Sequence, residues 1–317
     1  MGATTETLST EQVVLRDLRG RRRDVRGSMF QIVLLLSLLV ALAFLIVLLV
    51  DIVSGGIGVF QRRAVDFVTG SVSSIPDVAG VSQGIFGSFL IACFVIVISF
   101  PLGIGAAVYM EEYARDTRFN RLINVNVRNL AGVPSVVYGL LGLAIFVKFM
   151  GDSDKYPWAF TGGRSVMSAG ITIAIVVLPI VIITASEAIR AVPSSIREAG
   201  FGVGATRWEV IRSHVLPSAA PGILTGTVLS LSRAIGETAP LLMVGAVSGF
   251  FAISTDSFTE LMQSQFTALP VLVYNWARQP AAGFRELTSA AIIVLLLLTL
   301  TANTAAILLR NRYERKW

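Results

Sequence analysis

Glu187–Pro221 reads EAIRAVPSSIREAGFGVGATRWEVIRSHVLPSAAP, a polar and charged stretch between two strongly apolar ones. A connection between membrane helices needs only a few residues, so a polar loop of this length predicts a task beyond joining. Pro193-Ser194-Ser195 predicts the start of a short helix, with Ser194 or Ser195 capping its free N–H groups. Gly200, Gly202 and Gly204 predict its end and a sharp bend. A second helix is expected from about Thr206 to Val215, with Trp208, Ile211 and Val215 three and four residues apart. Thr206 and Glu209 have capping-box spacing at its start, and Pro217 and Pro221 are expected to end it. The expected product is helix, glycine bend, helix, lying across the mouth of a membrane bundle. The plainer alternative is an amphipathic surface helix resting on headgroups.

Composition agrees with a membrane bundle. The chain has 317 residues, of which 54% are hydrophobic and 15% charged, and its mean hydropathy is +0.73, far from that of a soluble globular protein. The net charge of +6 does not point to nucleic acid, because the charges cluster at the ends of apolar runs. Cys93 is the one cysteine and His214 the one histidine, which excludes an intrachain disulfide and argues against a zinc site. The lysines are Lys148, Lys155 and Lys316, and none follows a glycine. A phosphate-binding P-loop needs Gly-Lys-Ser/Thr, so this chain carries no ATPase site of that kind.

Taken in order, residues 1–28 form a basic arm and Met29–Val50 a first apolar span, longer than a signal-peptide core. Residues 51–83, mixed and rich in Gly, Ser and Asp, are expected to form an external loop. A core of five more spans is expected over 84–309. Its spans are about Gly84–Met110, Leu122–Phe149, Val166–Ala185, Gly222–Val247 and Leu287–Leu309. Pro101, Gly103 and Gly105 should loosen the inner end of the second span. Asn124, Asn126, Arg128 and Asn129 make the start of the third too polar for lipid, which predicts an interfacial or bundle-facing helix before a bend at Gly132-Val133-Pro134-Ser135. Loops are expected at 150–165, 187–221 and 248–285, with a basic tail at 310–317. Six spans put both termini on one side. Seventeen Lys and Arg fall in the arm, the 115–121 turn, the 187–221 loop and the tail, against seven in the other three loops. The positive-inside rule then places the termini and the 187–221 loop in the cytoplasm.

The fifth span carries a polar stripe. Gly226, Ser230, Arg233 and Glu237 recur at spacings of four, three and four, which is one helix face. An Arg near mid-helix costs roughly 2.5–3.5 kcal/mol on insertion scales. Glu237, four residues on, can pair with it. The face should therefore turn toward protein or water. Two readings stand: a structural ion pair that fixes helix register, or an anion pathway in which a guanidinium offers paired donors to an oxyanion. Thr227, Ser232 and Thr238 could add neutral hydrogen bonds, although Ser and Thr also bond back to their own helix. Trp276, Phe258 and Phe266 read as interfacial anchors in preference to partner contacts, and His214 as a solvated or docking-surface residue.

The 187–221 loop resembles the EAA loop of ABC-transporter permeases, whose pattern is E-A-A, three residues, Gly, nine residues, I-x-L-P. Glu198-Ala199-Gly200 stands for E-A-A, Gly204 for the Gly, and Leu216-Pro217 for L-P. The second Ala is replaced by Gly200 and the Ile by His214. Ser232-Arg233-Ala234-Ile235-Gly236-Glu237-Thr238-Ala239-Pro240-Leu241-Leu242 resembles the fifth-span signature of phosphate ABC-transporter permeases. Gly132-Val133-Pro134-Ser135-Val136-Val137-Tyr138-Gly139-Leu140 resembles a second segment of that family. Thr267-Ala268-Leu269-Pro270 and Tyr274-Asn275-Trp276-Ala277 resemble its PstA-type subunits. The resemblance covers about Gly84 to Leu309.

It implies an all-α fold: a six-span type I ABC importer permease bundle, MetI-like, in a bacterial plasma membrane. It also implies phosphate movement past Arg233 and Glu237; the residues themselves, not the resemblance, add Ser230 and Thr238 as expected neutral donors beside them. Coupling to an ATPase through Glu198, Ala199, Gly200, Gly204, Leu216 and Pro217 follows from the same resemblance. The implied partners are a PstC-type second permease, a PstB-type cytoplasmic ATPase dimer carrying ATP and Mg, and a PstS-type external phosphate-binding protein, with no cofactor on this chain. The rival expectations are a permease for another oxyanion (sulfate, molybdate or phosphonate) and an ATPase-independent channel or carrier. No paired carboxylates, metal ligands or Ser/His pair within the spans suggest an intramembrane enzyme.

Overall fold

The computed structural model describes residues 25–152, 155–246 and 257–313. Among them every regular element is a helix: α1 Val25–Thr69, α2 Ser82–Tyr113, α3 Arg118–Ala131, α4 Ser135–Phe149, α5 Val166–Arg190, α6 Ser194–Gly202, α7 Arg207–Gly236, α8 Ala239–Met243, α9 Phe258–Gln263, α10 Leu269–Ala277 and α11 Ala282–Tyr313. Five of these are long and apolar enough to cross a membrane. The number is six if α3 and α4, bent by 98° across a short break, count as one broken span. That break falls at the expected Gly132–Ser135 bend. α3 buries none of its residues.

The chain divides into two compact units, Met1–Asp51 and Ile52–Trp317. The described part of the first is the apolar beginning of α1, with its large side chains exposed. In the second, α5 is the axis, with fifteen of its residues buried. It is apolar nearly all round, as a helix surrounded by others must be. Small residues on its neighbours set the spacing. A Cβ on Gly103 of α2 would lie 2.7 Å from Val181, and one on Gly222 of α7 would lie 2.8 Å from Ala188. Membrane helices gain their contact from such close approach, since lipid tails are as apolar as the side chains.

The expected loop over 51–83 is helical as far as Thr69. Gly55 and Gly56, read as loop signals, are contact residues: added Cβ atoms there would run into Ser289 and Ala290 of α11. Arg63 leaves helical geometry at φ −155°, ψ 49°, and its guanidinium bonds the carbonyls of Pro76 and Asp77. The kink turns Phe67 into a core with Val59, Val72, Leu272, Trp276, Phe284 and Leu287. The Trp276 ring lies 6.4 Å from Phe67 and 6.0 Å from Phe284. Trp276 and Phe266 are therefore core residues, not interfacial anchors, while Phe258 is exposed. The expected loop 248–285 contains α9 and α10, and its residues 248–256 lie outside the described residues, as do residues 1–24 of the arm and 314–317 of the tail.

One proline expectation changes, that Pro217 and Pro221 end a helix, whereas Pro101 lies where the second span is loosened. Pro101 and Pro217 sit inside continuous helices, each two residues after a wide π turn, Val95–Ser99 and Ile211–Val215. Proline has no N–H to donate and crowds the carbonyl four residues back. In a π turn the bonds run five residues back, as from the Leu216 N–H to Ile211 O, which loosens the ladder where the ring arrives. So Pro217 and Pro221 do not end a helix at Val215; α7 runs on to Gly236. The fifth span in turn is not Gly222–Val247, because the helix stops at Gly236 and α8 follows a break.

Candidate functional site: the polar loop and the broken helix

The polar loop folds as helix, bend, helix. α6 begins at Ser194 with Pro193 before it and no side-chain cap, so neither Ser194 nor Ser195 plays the expected role. Proline's fixed φ already presets the entry. At α7 the capping box forms: the Glu209 N–H donates to Thr206 Oγ1 at 3.4 Å and the Thr206 N–H to Glu209 Oε2 at 2.8 Å. Gly204 takes φ +84° in open space, the left-handed conformation that glycine adopts without penalty. Gly200 does not end α6, which continues to Gly202. Gly200 is buried, and a Cβ there would sit 2.7 Å from the Val210 side chain. The departure from E-A-A thus has a packing cause: α6 and α7 meet too closely for alanine.

Glu198, Ala199, Gly204 and Pro217 are exposed, and Leu216 is half-buried. Between them the elbow carries an apolar knob of Phe201, Val203 and Trp208, with Val203 85% exposed. Beneath it, Val192, Val210, Val215, Ala219 and Ile223 pack with Ala107 of α2 and Ala185 and Ile189 of α5.

The loop is held by residues that the sequence did not single out. Arg190 makes a two-point bond to Glu111, Nη2 to Oε1 at 2.8 Å and Nε to Oε2 at 3.1 Å. Arg197 donates to Glu112 Oε1 from Nη2 at 2.7 Å and from Nε at 3.0 Å. It donates also to Ile189 O at 3.0 Å and Val192 O at 2.8 Å. The Arg207 guanidinium lies 5.6 Å from the Tyr113 ring centre. Glu111-Glu112-Tyr113 ends α2 in a π turn. Two successive acids facing a loop with four arginines was the available signal, but spacing along the chain does not say which arginine meets which acid.

At the other end of α7 the helix stops after Gly236. Glu237 is extended (φ −70°, ψ 124°), and Thr238 precedes α8 without capping it through its side chain. Arg233 Nε donates to Glu237 Oε1 at 3.1 Å; the Arg233 side chain is 49% exposed and that of Glu237 13%. The stripe on which the four positions were placed does not share one environment. Gly226 lies against Thr184 of α5, and Ser230 is fully buried with its hydroxyl donating to Gly226 O at 2.8 Å. Thr227 and Ser232 likewise bond back, to Leu224 O and Val228 O; Ser232 also reaches Asn303 of α11 at 2.5 Å. Thr238 is half-buried at the break. The structure thus joins Arg233, Glu237 and Thr238 at one discontinuity and leaves Ser230 buried and bonded within its own helix.

α8 packs on α4. A Cβ on Gly139 would come within 2.7 Å of Pro240 Cα and 3.0 Å of Met243 Cβ. The two segments set apart in the sequence, 132–140 and 232–242, therefore meet in space. Among the described residues no group of three or more His, Cys, Asp or Glu is placed to hold a metal ion.

Residues 99–317 match the family model described as the binding-protein-dependent transport system inner membrane component. Over 302 residues the chain is 32% identical to the "Phosphate transport system permease protein PstA 1" of Mycobacterium tuberculosis (strain CDC 1551 / Oshkosh), covering 94% of this chain and 92% of that one. It is 29% identical over 271 residues to the "Phosphate transport system permease protein PstA" of Haemophilus influenzae, covering 85% of this chain and 89% of that one. Among solved structures, an inward-facing MetNI methionine ABC transporter matches with a TM-score of 0.54 at 17% identity, over 74% of this chain and 95% of that one. A bacterial ABC transporter involved in the import of the acidic polysaccharide alginate matches with a TM-score of 0.59 at 15% identity, over 96% of this chain and 100% of that one. At these identities the solved structures show the fold, an all-α bundle of the MetI-like importer type. The chain belongs to the binding-protein-dependent transport system inner membrane components, and is a multi-pass permease subunit of an ABC importer.

Proposed function

We propose that this chain is the PstA-type permease subunit of an ATP-driven phosphate importer. The observation that carries the reading is the Arg233–Glu237 pair at the break between α7 and α8, half open, in a chain several of whose relatives are phosphate permeases by name. Irregular backbone within a membrane is tolerated only where it meets protein or a water-filled cavity. With Nε held by Glu237, the terminal donors of Arg233 offer an oxyanion the planar fork that suits it. Glu237 recaptures the guanidinium between passages, so that the anion is held weakly enough to leave. Thr238 adds a neutral hydroxyl at the same break, and Ser230, its hydroxyl held by Gly226 O, contributes only to the packing of α7.

The 187–221 loop is the ATPase coupling element, with Phe201, Val203 and Trp208 entering a groove on the partner and Glu198, Ala199, Gly200, Gly204, Leu216 and Pro217 shaping the elbow. ATP and Mg act on that partner, a PstB-type dimer. A PstC-type permease supplies the other half of the pathway, and a PstS-type protein delivers phosphate from outside. The basic charge distribution supports cytoplasmic termini. ATP-driven closure of the dimer biases a two-state bundle between inward-open and outward-open forms.

The test is phosphate uptake by the assembled transporter carrying Arg233→Gln. Uptake should fall at least about tenfold, the effect of about 1.4 kcal/mol in an energy barrier. Uptake equal to the parent removes Arg233 from the pathway. Competition by sulfate, molybdate and phosphonate in the same assay separates phosphate from the other oxyanions.

A further inference from the structure

The acids that end α2 are not part of the loop, yet each binds one of its arginines through two donors. The Glu112 side chain is 8% exposed and the Arg197 side chain 22%. Arg197 stands on α6, takes Glu112 on α2 with two donors, and takes the Ile189 and Val192 carbonyls at the end of α5 with two more. One guanidinium therefore joins three elements. The Arg190–Glu111 bond runs alongside, but Arg190 is 60% exposed, and an open pair of that kind is screened by water. Arg207 over Tyr113 adds a third, weaker tie to the same turn.

We propose that the Glu112–Arg197 pair is the joint through which movement of the polar loop is delivered to α2. This rests on the reading of that loop as the ATPase coupling element. The loop is joined through the backbone to α5 and α7, and those two helices would follow it in any case. α2 has no such connection: the chain from Tyr113 leads to α3 and α4, not to the loop. A displacement of the loop reaches α2 through packing around Ala107 and along α5, through the more open ties of Arg190 and Arg207, and most directly from α6 through this pair. Packing also resists withdrawal, but its contacts carry no direction and can slide, whereas a two-donor ion pair fixes both distance and orientation. The π turn Tyr109–Tyr113 that carries the acids gives the joint a pliant seat. Glu112 and Arg197 are positioning residues; neither touches phosphate or nucleotide.

The test compares the parent with Glu112→Gln, Arg197→Lys and Glu111→Gln in the complete transporter in liposomes, supplied with its binding protein. Three quantities are read: ATPase retained on the complex, ATP hydrolysed, and phosphate taken up per ATP. Glu112→Gln and Arg197→Lys, which keeps the charge but loses the fork, should retain the ATPase and hydrolyse ATP while uptake per ATP falls at least about tenfold. Glu111→Gln should stay within about twofold of the parent. Uptake per ATP within about twofold of the parent in both joint variants overturns the proposal. Loss of the ATPase from both also overturns it, because the pair would then only hold the loop in shape. The reading beneath is checked apart, by cross-linking from Val203→Cys in the otherwise intact complex with Cys93 replaced by Ser. Failure to reach the ATPase removes the docking reading, and the joint with it.

Discussion

At the scale of single residues, side-chain hydrogen bonds divide those that shape the protein from those left free to act. Ser230, Thr227 and Ser232 are turned back onto their own helix, which serines and threonines do readily in helices. Arg233 is spent on one carboxylate and stays half open. Periodicity placed Ser230 and Arg233 on one face with Gly226 and Glu237 but could not say which would be buried, because that depends on where the neighbouring helices lie. The capping box at Thr206 was fully legible, since both partners lie within four residues. Its removal is measurable: Thr206→Ala should lower local stability at the start of α7 by about 1 kcal/mol, seen as faster amide exchange from Arg207 to Val210 with the remainder of α7 unchanged. Equal protection in both proteins would mean that packing of Val210 alone sets the start.

At the scale of elements, apolar runs revealed where helices lie but not where they end. The bend between α3 and α4 was readable because Gly132 and Pro134 coincide with a change from polar to apolar. The continuation of α1 to Thr69 was not, because glycines that suit loops also suit close helix contact, and only the partner helix tells them apart. Pro217 misled for a related reason: a wide turn upstream removes the conflict a proline creates, and no local signal marks such a turn. The contact between α4 and α8 gives a prediction at this scale. Gly139→Leu should force α8 away from α4, since even one added carbon would lie 2.7 Å from Pro240. Overpacking of that kind typically costs about 1–3 kcal/mol, and it would reposition the break that holds Arg233. Assembled transporter with this change should show at least about tenfold lower uptake, with Gly139→Ala between it and the parent. Full uptake by Gly139→Leu would show that the α4–α8 spacing does not govern the break.

At the scale of the molecule, two features balance each other. The aromatic core of Phe67, Trp276 and Phe284 ties α1, α10 and α11 together. Trp276→Ala should cost about 3–5 kcal/mol and lower the thermal midpoint of the purified complex, without altering uptake per ATP in the surviving fraction. A change in that ratio would give this core a part in transport. Opposite in character is α7. It runs unbroken from Arg207 to Gly236, 30 residues, which at ~1.5 Å of rise is a rod about 45 Å long. One end is rooted in the elbow and the other carries the guanidinium. Swinging such a beam by about 5° about its foot sweeps the far tip through roughly 4 Å, more than the reach of a hydrogen bond. On the coupling proposed above, a small tilt of the part beyond the π turn Ile211–Val215 is geared up into making or breaking a grip above, and it is the continuity through Pro217, where a stop was expected, that supplies the gearing.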